Sequence, residues 1–168
     1  IYKPNPSPDE LFILVNNIEG WLIRSGTKIT KELIENARQL QIIGRAGVGT
    51  DNIDIDYATV KGVVVMNVPD GNTISAAEHT MAMILSLSRN IYQGHSSLMR
   101  GQWNRSLLVG NELRNKTLGV VGLGKIGREV IKRSLSYDMQ ILGYDPYVKK
   151  DQFNAEEVKV VELDYLVE

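Results

Sequence analysis

The stretch Gly122-Leu123-Gly124-Lys125-Ile126-Gly127 holds three glycines whose spacing could do chemistry. It follows the apolar run Thr117-Leu118-Gly119-Val120-Val121 and precedes a helical pattern carrying Val130, Ile131 and Leu135. In that context Gly122 permits a tight turn, Gly124 lets backbone approach a pyrophosphate, and Gly127 lets helix and strand pack closely. The amides at the N-terminus of that helix, with their partial positive charge, face the anion. A further strand pattern at residues 140–144 ends at Asp145, 18 residues beyond Gly127. A carboxylate there bonds the adenosine ribose hydroxyls of NAD and repels the 2′-phosphate of NADP. Pro146 stands where an NADP-binding chain could carry an arginine, so the cofactor these residues predict is NAD. The plainer reading is a tight strand-to-helix turn followed by a solvated aspartate. It leaves the common register of all these elements unexplained.

Such residues need elements to hold them. Residues 11–20 are mixed in pattern, but Trp21-Leu22-Ile23 reads as a strand and residues 24–28 as a polar loop. Thr30 can cap a helix over residues 31–40, whose Leu33, Ile34, Ala37 and Leu40 share a face, and Ile42-Ile43-Gly44 reads as a second strand. After the glycine-rich residues 44–50, a helix near residues 55–61 stops at Gly62, and residues 63–66 form a third strand. Strands spaced by helices imply a parallel sheet. Pro69-Asp70-Gly71-Asn72 reads as a turn with Gly71 at positive φ, and it divides the chain into residues 1–71 and 72–168. From residue 73 to about 93, Ile74, Ala77, Met81, Ile84, Leu85 and Ile91 follow a single long helix, with Ala76, Ala82, Ser86 and Ser88 keeping other faces small. Residues 94–114, including Trp103, read as irregular. A last strand is expected at residues 158–161 and a helix in residues 162–168.

The 168 residues suffice for one domain or two small lobes, and 43% are hydrophobic, enough for a buried core. Lysine and arginine number 19 against 20 acids. No overall field therefore gathers nucleic acid or an anionic membrane, and any anion must be bound locally. The absence of cysteine removes disulfides, thiol nucleophiles and thiolate metal sites. No metal site is expected. Neither a signal peptide nor an apolar run of about 18 residues stands out, so a cytoplasmic chain without a membrane partner is expected.

The run Gly44-Arg45-Ala46-Gly47-Val48-Gly49-Thr50-Asp51-Asn52-Ile53-Asp54, then Gly71-Asn72-Thr73-Ile74-Ser75-Ala76-Ala77-Glu78, then the 122–127 loop with Tyr144-Asp145-Pro146, resemble the D-2-hydroxyacid dehydrogenases. The likeness runs from about Gly20 to the end and is nearest the phosphoglycerate dehydrogenase branch. It implies an α/β architecture in two parts. Residues 1–71 would be part of a flavodoxin-like substrate domain, and residues 72–168 part of a Rossmann-type doubly wound parallel sheet, with the active site in a cleft between them. It also puts Arg24 and Ser25 on the substrate loop, Arg45 near the same anion, the backbone of Val48 and Gly49 against the substrate carboxylate, and Asn72 at the cleft. The substrate implied is a small anionic 2-hydroxy acid, here D-3-phosphoglycerate oxidised to 3-phosphohydroxypyruvate at the head of L-serine biosynthesis. Forked arginine donors suit its two anionic ends. The ordinary alternative for Arg24 and Arg45 is a surface salt bridge. The helix after Asn72 is implied in a homodimer interface, although packing within the chain accounts for its pattern nearly as well.

The arginine, glutamate and histidine that do the family's chemistry lie downstream of the cofactor-binding half, and no position here matches them. His79 and His95 both precede the glycine loop. His79 adjoins Glu78, but neighbouring residues on a helix do not face each other, so both histidines read as structural or surface. Ser75 and Glu78 have the spacing of a capping box. Three visible strands make half of a doubly wound sheet and leave an apolar edge, so the chain is expected to belong to a protein about twice as long. Two other functions remain open: a glyoxylate or hydroxypyruvate reductase, and an NAD-sensing protein like the C-terminal-binding corepressors.

Overall fold

Short apolar strands alternate with polar loops and helices, and within each of two sheets every strand pairs in parallel with the next. The computed structural model describes residues 2–3 and 6–168. Its contacts divide it into two units, Ile1–Asn72 and Thr73–Glu168. The expected α/β class with parallel sheets is present in both.

The first unit opens with α1 (Pro8–Leu14), which the mixed pattern of residues 11–20 concealed. Ser7 caps it: its Oγ accepts from Glu10 N–H at 3.3 Å, and the Glu10 carboxylate accepts from Ser7 N–H at 2.9 Å. There follow β1 (Gly20–Ile23), α2 (Lys31–Asn36), β2 (Ile42–Arg45), α3 (Ile55–Val60) and β3 (Val64–Asn67). The sheet order is β1-β2-β3. Gly20 lies opposite Ile42, and Ile42 opposite Val64, so Ile23, Arg45 and Asn67 form one row where the strands end. α2 stops short of residue 40 because Ala37 leaves the helical region at φ −82°, ψ 70°. The expected face is nonetheless buried: Leu33, Ile34, Ala37 and Leu40 join Val15, Ile23 and Ile43 in the core. The opposite face of the sheet is open, with Leu22 80% exposed beside half-exposed Val64 and Met66.

The second unit starts with α4 (Thr73–Ser88) and α5 (Ile91–Met99), not one helix to residue 93. Asn90 breaks them apart in the left-handed conformation (φ 53°, ψ 37°), which asparagine tolerates better than other side chains. Its Nδ2 donates to Val109 O at 3.2 Å. α5 thus takes in residues 94–99 of the segment expected to be irregular. β4 (Thr117–Val121), α6 (Lys125–Leu135), β5 (Gln140–Tyr144), β6 (Lys159–Val160) and α7 (Leu163–Val167) complete the unit. The parallel order is β4-β5-β6, half of a doubly wound sheet. Met139, Ile141, Val120 and Leu123 pack in its core, and Ala77 and Met81 of α4 pack on Val130 of α6. β4 is not buried along its whole apolar run. Among the described residues it pairs only with β5. Val121 is 65% exposed, and a groove of about 340 Å³ runs past Leu118, Val121, Ile84 and Ile126. No helix among the described residues is long and apolar enough to cross a membrane.

Candidate cofactor and substrate sites

The loop between β4 and α6 has two glycines that the fold requires and one that it does not. Gly122 has φ +102° and donates its N–H to Tyr144 O at 2.8 Å, tying the loop to the end of β5. A Cβ on Gly127 would run into the Gly122 carbonyl oxygen. Gly124, the N-cap of α6, has extended backbone (φ −73°) and no side-chain cap, and a Cβ there would meet nothing within 4 Å. Internal packing therefore does not explain glycine at 124; a phosphate lying on the backbone is what a side chain would obstruct. Ile126 packs with Ala77, Met81 and Val130, so it offers the loop its backbone, while the Lys125 side chain is exposed.

Asp145 follows β5 directly. Its Oδ1 accepts from Tyr147 N–H and its Oδ2 from Leu123 N–H, both at 2.8 Å. The Tyr147 amide, and after it the Leu123 amide, hold the carboxyl below the usual carboxylate range. With about four acceptor sites, the carboxylate retains capacity for a further hydroxyl.

In the first unit the row Ile23, Arg45, Asn67 brings three loops together. They enclose a cavity of about 410 Å³ lined by Arg24 and Ser25 after β1, Arg45 at the end of β2 with Ala46 and Gly47 after it, and Val68, Gly71 and Asn72 after β3. No acid is among these residues, and neither arginine forms an ion pair among the described residues. Arg45 folds over Gly47, where a Cβ would overlap the guanidinium, and its buried Nε has no hydrogen-bond partner. Two unpaired guanidinium groups in a concave site suit an anion with forked acceptors. Val48 and Gly49 lie outside this lining; the Val48 carbonyl accepts from Asn67 Nδ2 at 2.7 Å. Gly71 is not at positive φ as expected. Its requirement is closeness, since a Cβ would sit 3.0 Å from Val68 Cγ1. Asn52 was not foreseen: its Nδ2 donates to Thr27 O at 2.6 Å and Arg24 O at 3.2 Å, holding the loop that carries Arg24 and Ser25.

His79 and His95 are exposed, and neither lines this cavity or the groove beside β4. Ser75 lies inside α4 rather than capping it, and Glu78 faces Arg133 of α6 at 3.8 Å. No group of three or more potential metal ligands occurs among the described residues.

A family model described as D-isomer specific 2-hydroxyacid dehydrogenase, catalytic domain, matches residues 1–161. The chain is 48% identical over 154 residues to a D-3-phosphoglycerate dehydrogenase of Methanocaldococcus jannaschii, covering 92% of this chain and 29% of that protein. Among solved structures, D-lactate dehydrogenase from Aquifex aeolicus complexed with NAD and lactic acid matches with a TM-score of 0.83 and 32% identity, over 92% of this chain and 46% of that one. The NAD-dependent formate dehydrogenase of Staphylococcus aureus in complex with NAD gives 0.84 and 32%, over 96% and 49%. The chain spans under a third of the first relative and about half of the other two.

Proposed function

The chain belongs to the D-isomer specific 2-hydroxyacid dehydrogenase family, and from that premise we propose that it carries the NAD loop and the anion pocket of an enzyme oxidising D-3-phosphoglycerate to 3-phosphohydroxypyruvate, the first step of L-serine biosynthesis. The observation that carries the reading is the acid-free cavity in which Arg24 and Arg45 stand with Ser25 and Asn72. A phosphorylated hydroxy acid has two anionic ends for two guanidinium groups. Glyoxylate has one and leaves the second guanidinium without an anionic partner.

The residues that would hold NAD are Gly122, Gly124, Lys125, Ile126 and Gly127, through the backbone at the start of α6, and Asp145, through the ribose hydroxyls. The bareness of Gly124 and the spare acceptor capacity of Asp145 support the fit. The chemistry that NAD supplies when bound is acceptance of the C2 hydride. Arg24 and Arg45 would bind and orient the acid for that transfer, and the proton of its hydroxyl is assigned to neither exposed histidine. Met83, Leu87, Leu98, Met99 and Trp103, all at least half exposed on α4, α5 and the loop that follows, support a homodimer; a monomeric sedimentation mass rejects it. The full-length protein, assayed with NAD and 3-phosphoglycerate and in reverse with glyoxylate and hydroxypyruvate, is expected to favour the phosphorylated pair. Preference for either unphosphorylated acid rejects the substrate assignment.

A further inference from the structure

Leu123, between Gly122 and Gly124, is held in three ways. Its side chain is fully buried and lies over Gly143 of β5, where a Cβ would come 2.8 Å from Leu123 Cδ2. Its N–H donates to Asp145 Oδ2 at 2.8 Å. Its carbonyl accepts from Arg128 Nε–H at 3.0 Å, a bond reaching back from the start of α6. Arg128 is fixed from its other side as well. The guanidinium carbon lies 4.3 Å from the centre of the Phe153 ring, and Nη2 donates to Gln152 at 3.4 Å.

The Leu123 carbonyl and the Gly124 N–H belong to one planar trans peptide unit and point in opposite directions. Holding the oxygen toward α6 therefore sets the direction of the Gly124 amide on the other side. We propose that Arg128 is a positioning residue for the phosphate-binding loop: through the Leu123 carbonyl it aims the Gly124 amide at the pyrophosphate. The proposal rests on the reading that this loop holds NAD. It assigns Arg128 a hydrogen bond, not a charge directed at the phosphates.

Nucleotide titrations of the full-length protein separate these possibilities, with NAD, ADP and adenosine as probes and Arg128→Met and Arg128→Gln as variants. Arg128→Met is expected to weaken NAD and ADP alike by about tenfold, the cost of one charged-group hydrogen bond, and to leave adenosine unchanged. Arg128→Gln, a neutral donor that reaches the same carbonyl, is expected to recover most of the loss. The Gly124 amide resonance of the nucleotide-free protein is expected to move in Arg128→Met and return in Arg128→Gln. Unchanged NAD affinity in Arg128→Met, an equal loss for adenosine, or no recovery in Arg128→Gln each overturns the proposal. A wild-type protein that binds no NAD removes the underlying reading before any variant is compared.

Discussion

Gly143→Ala tests how rigidly the cofactor loop is held from beneath. A Cβ at 143 would lie 2.8 and 3.1 Å from the two methyl carbons of Leu123 and 3.2 Å from Val158 Cγ1. Carbon atoms prefer about 3.5–4.0 Å, so the nearest pair is short by about 0.7 Å. Leu123 cannot retreat like a flexible surface tip, because it is fully buried and tied at both its N–H and its carbonyl. Overpacking of this kind costs about 1–3 kcal/mol. Gly143 is not at positive φ, so alanine also gains about 0.4–1 kcal/mol by restricting the unfolded chain. Crowding wins, and a net loss of about 1–2 kcal/mol is expected. Urea unfolding of Gly143→Ala, Leu123→Val and the double variant measures it. Leu123→Val alone loses about 1 kcal/mol with its buried methylene, yet in the double variant the missing carbon makes room for the new one. The two losses should fall short of additivity by about 1 kcal/mol. Additivity to within about 0.3 kcal/mol, or a stabilised Gly143→Ala, would refute the reasoning.

Gly124→Ala and Gly127→Ala should part company: the first weakens NAD binding with little change in melting temperature, and the second destabilises the fold, because the backbone carbonyl of Gly122 cannot move aside. Equal melting temperatures for the two would contradict the distinction. Asp145→Ser should cut the preference for NAD over NADP roughly tenfold to a hundredfold, read as a ratio of dissociation constants. Because amides lower the folded-state pKa of Asp145, its contribution to stability is complete above the ordinary carboxylate value of about 4 and is lost only as pH falls through the lowered one. The affinity for NAD itself should accordingly be the same at about pH 5.5 and pH 7.5, and a decline at the lower value counts against an ionised Asp145. Arg24→Ala should raise the substrate KM about tenfold or more while the NAD KM stays nearly constant; equal rises in both would remove Arg24 from the anion pocket.

The loop at 122–127 and Asp145 were legible because their signals are local: glycine spacing, an apolar run before it, an acid where the next strand stops. The cavity around Arg24 and Arg45 could be anticipated only through resemblance, since no local pattern brings loops after three strands together. Asn52 escaped altogether, as its bonds run to carbonyls 25 and 28 residues away. Helix ends failed for a related reason. The apolar spacing continues through Ala37 and Ile91, and burial follows it around Ala37 but not at Ile91, which is exposed; Ala37 and Asn90 both leave helical backbone. Hydrophobic periodicity reports which side chains face a core and does not require every turn between them to be helical. At α1 a sufficient signal was present, Ser7-Pro8-Asp9-Glu10, with a proline and a capping box at a helix start.

Parallel pairing gives these scattered signals their meaning. When neighbouring strands run the same way, every connection crosses back, and all loops leaving their carboxyl ends emerge on one side. Ile23, Arg45 and Asn67 make that row in the first sheet, and Val121 and Tyr144 in the second; each candidate residue lies in it or follows it in the chain. Unusual backbone occurs at the opposite ends too. Asn115 and Asp138 have φ of 61° and 54° just before β4 and β5, but Asn115 N–H donates to Asp138 O at 2.9 Å, and Asp138 pairs with exposed Arg114 at 3.6 Å. Those turns are tied to each other and to Arg114. At the carboxyl ends, Gly122 also satisfies its amide within the chain, yet the loop it starts leaves Gly124 bare and the helix beyond it without a side-chain cap. A positive φ therefore points to a binding loop only where an open, uncapped helix start follows it.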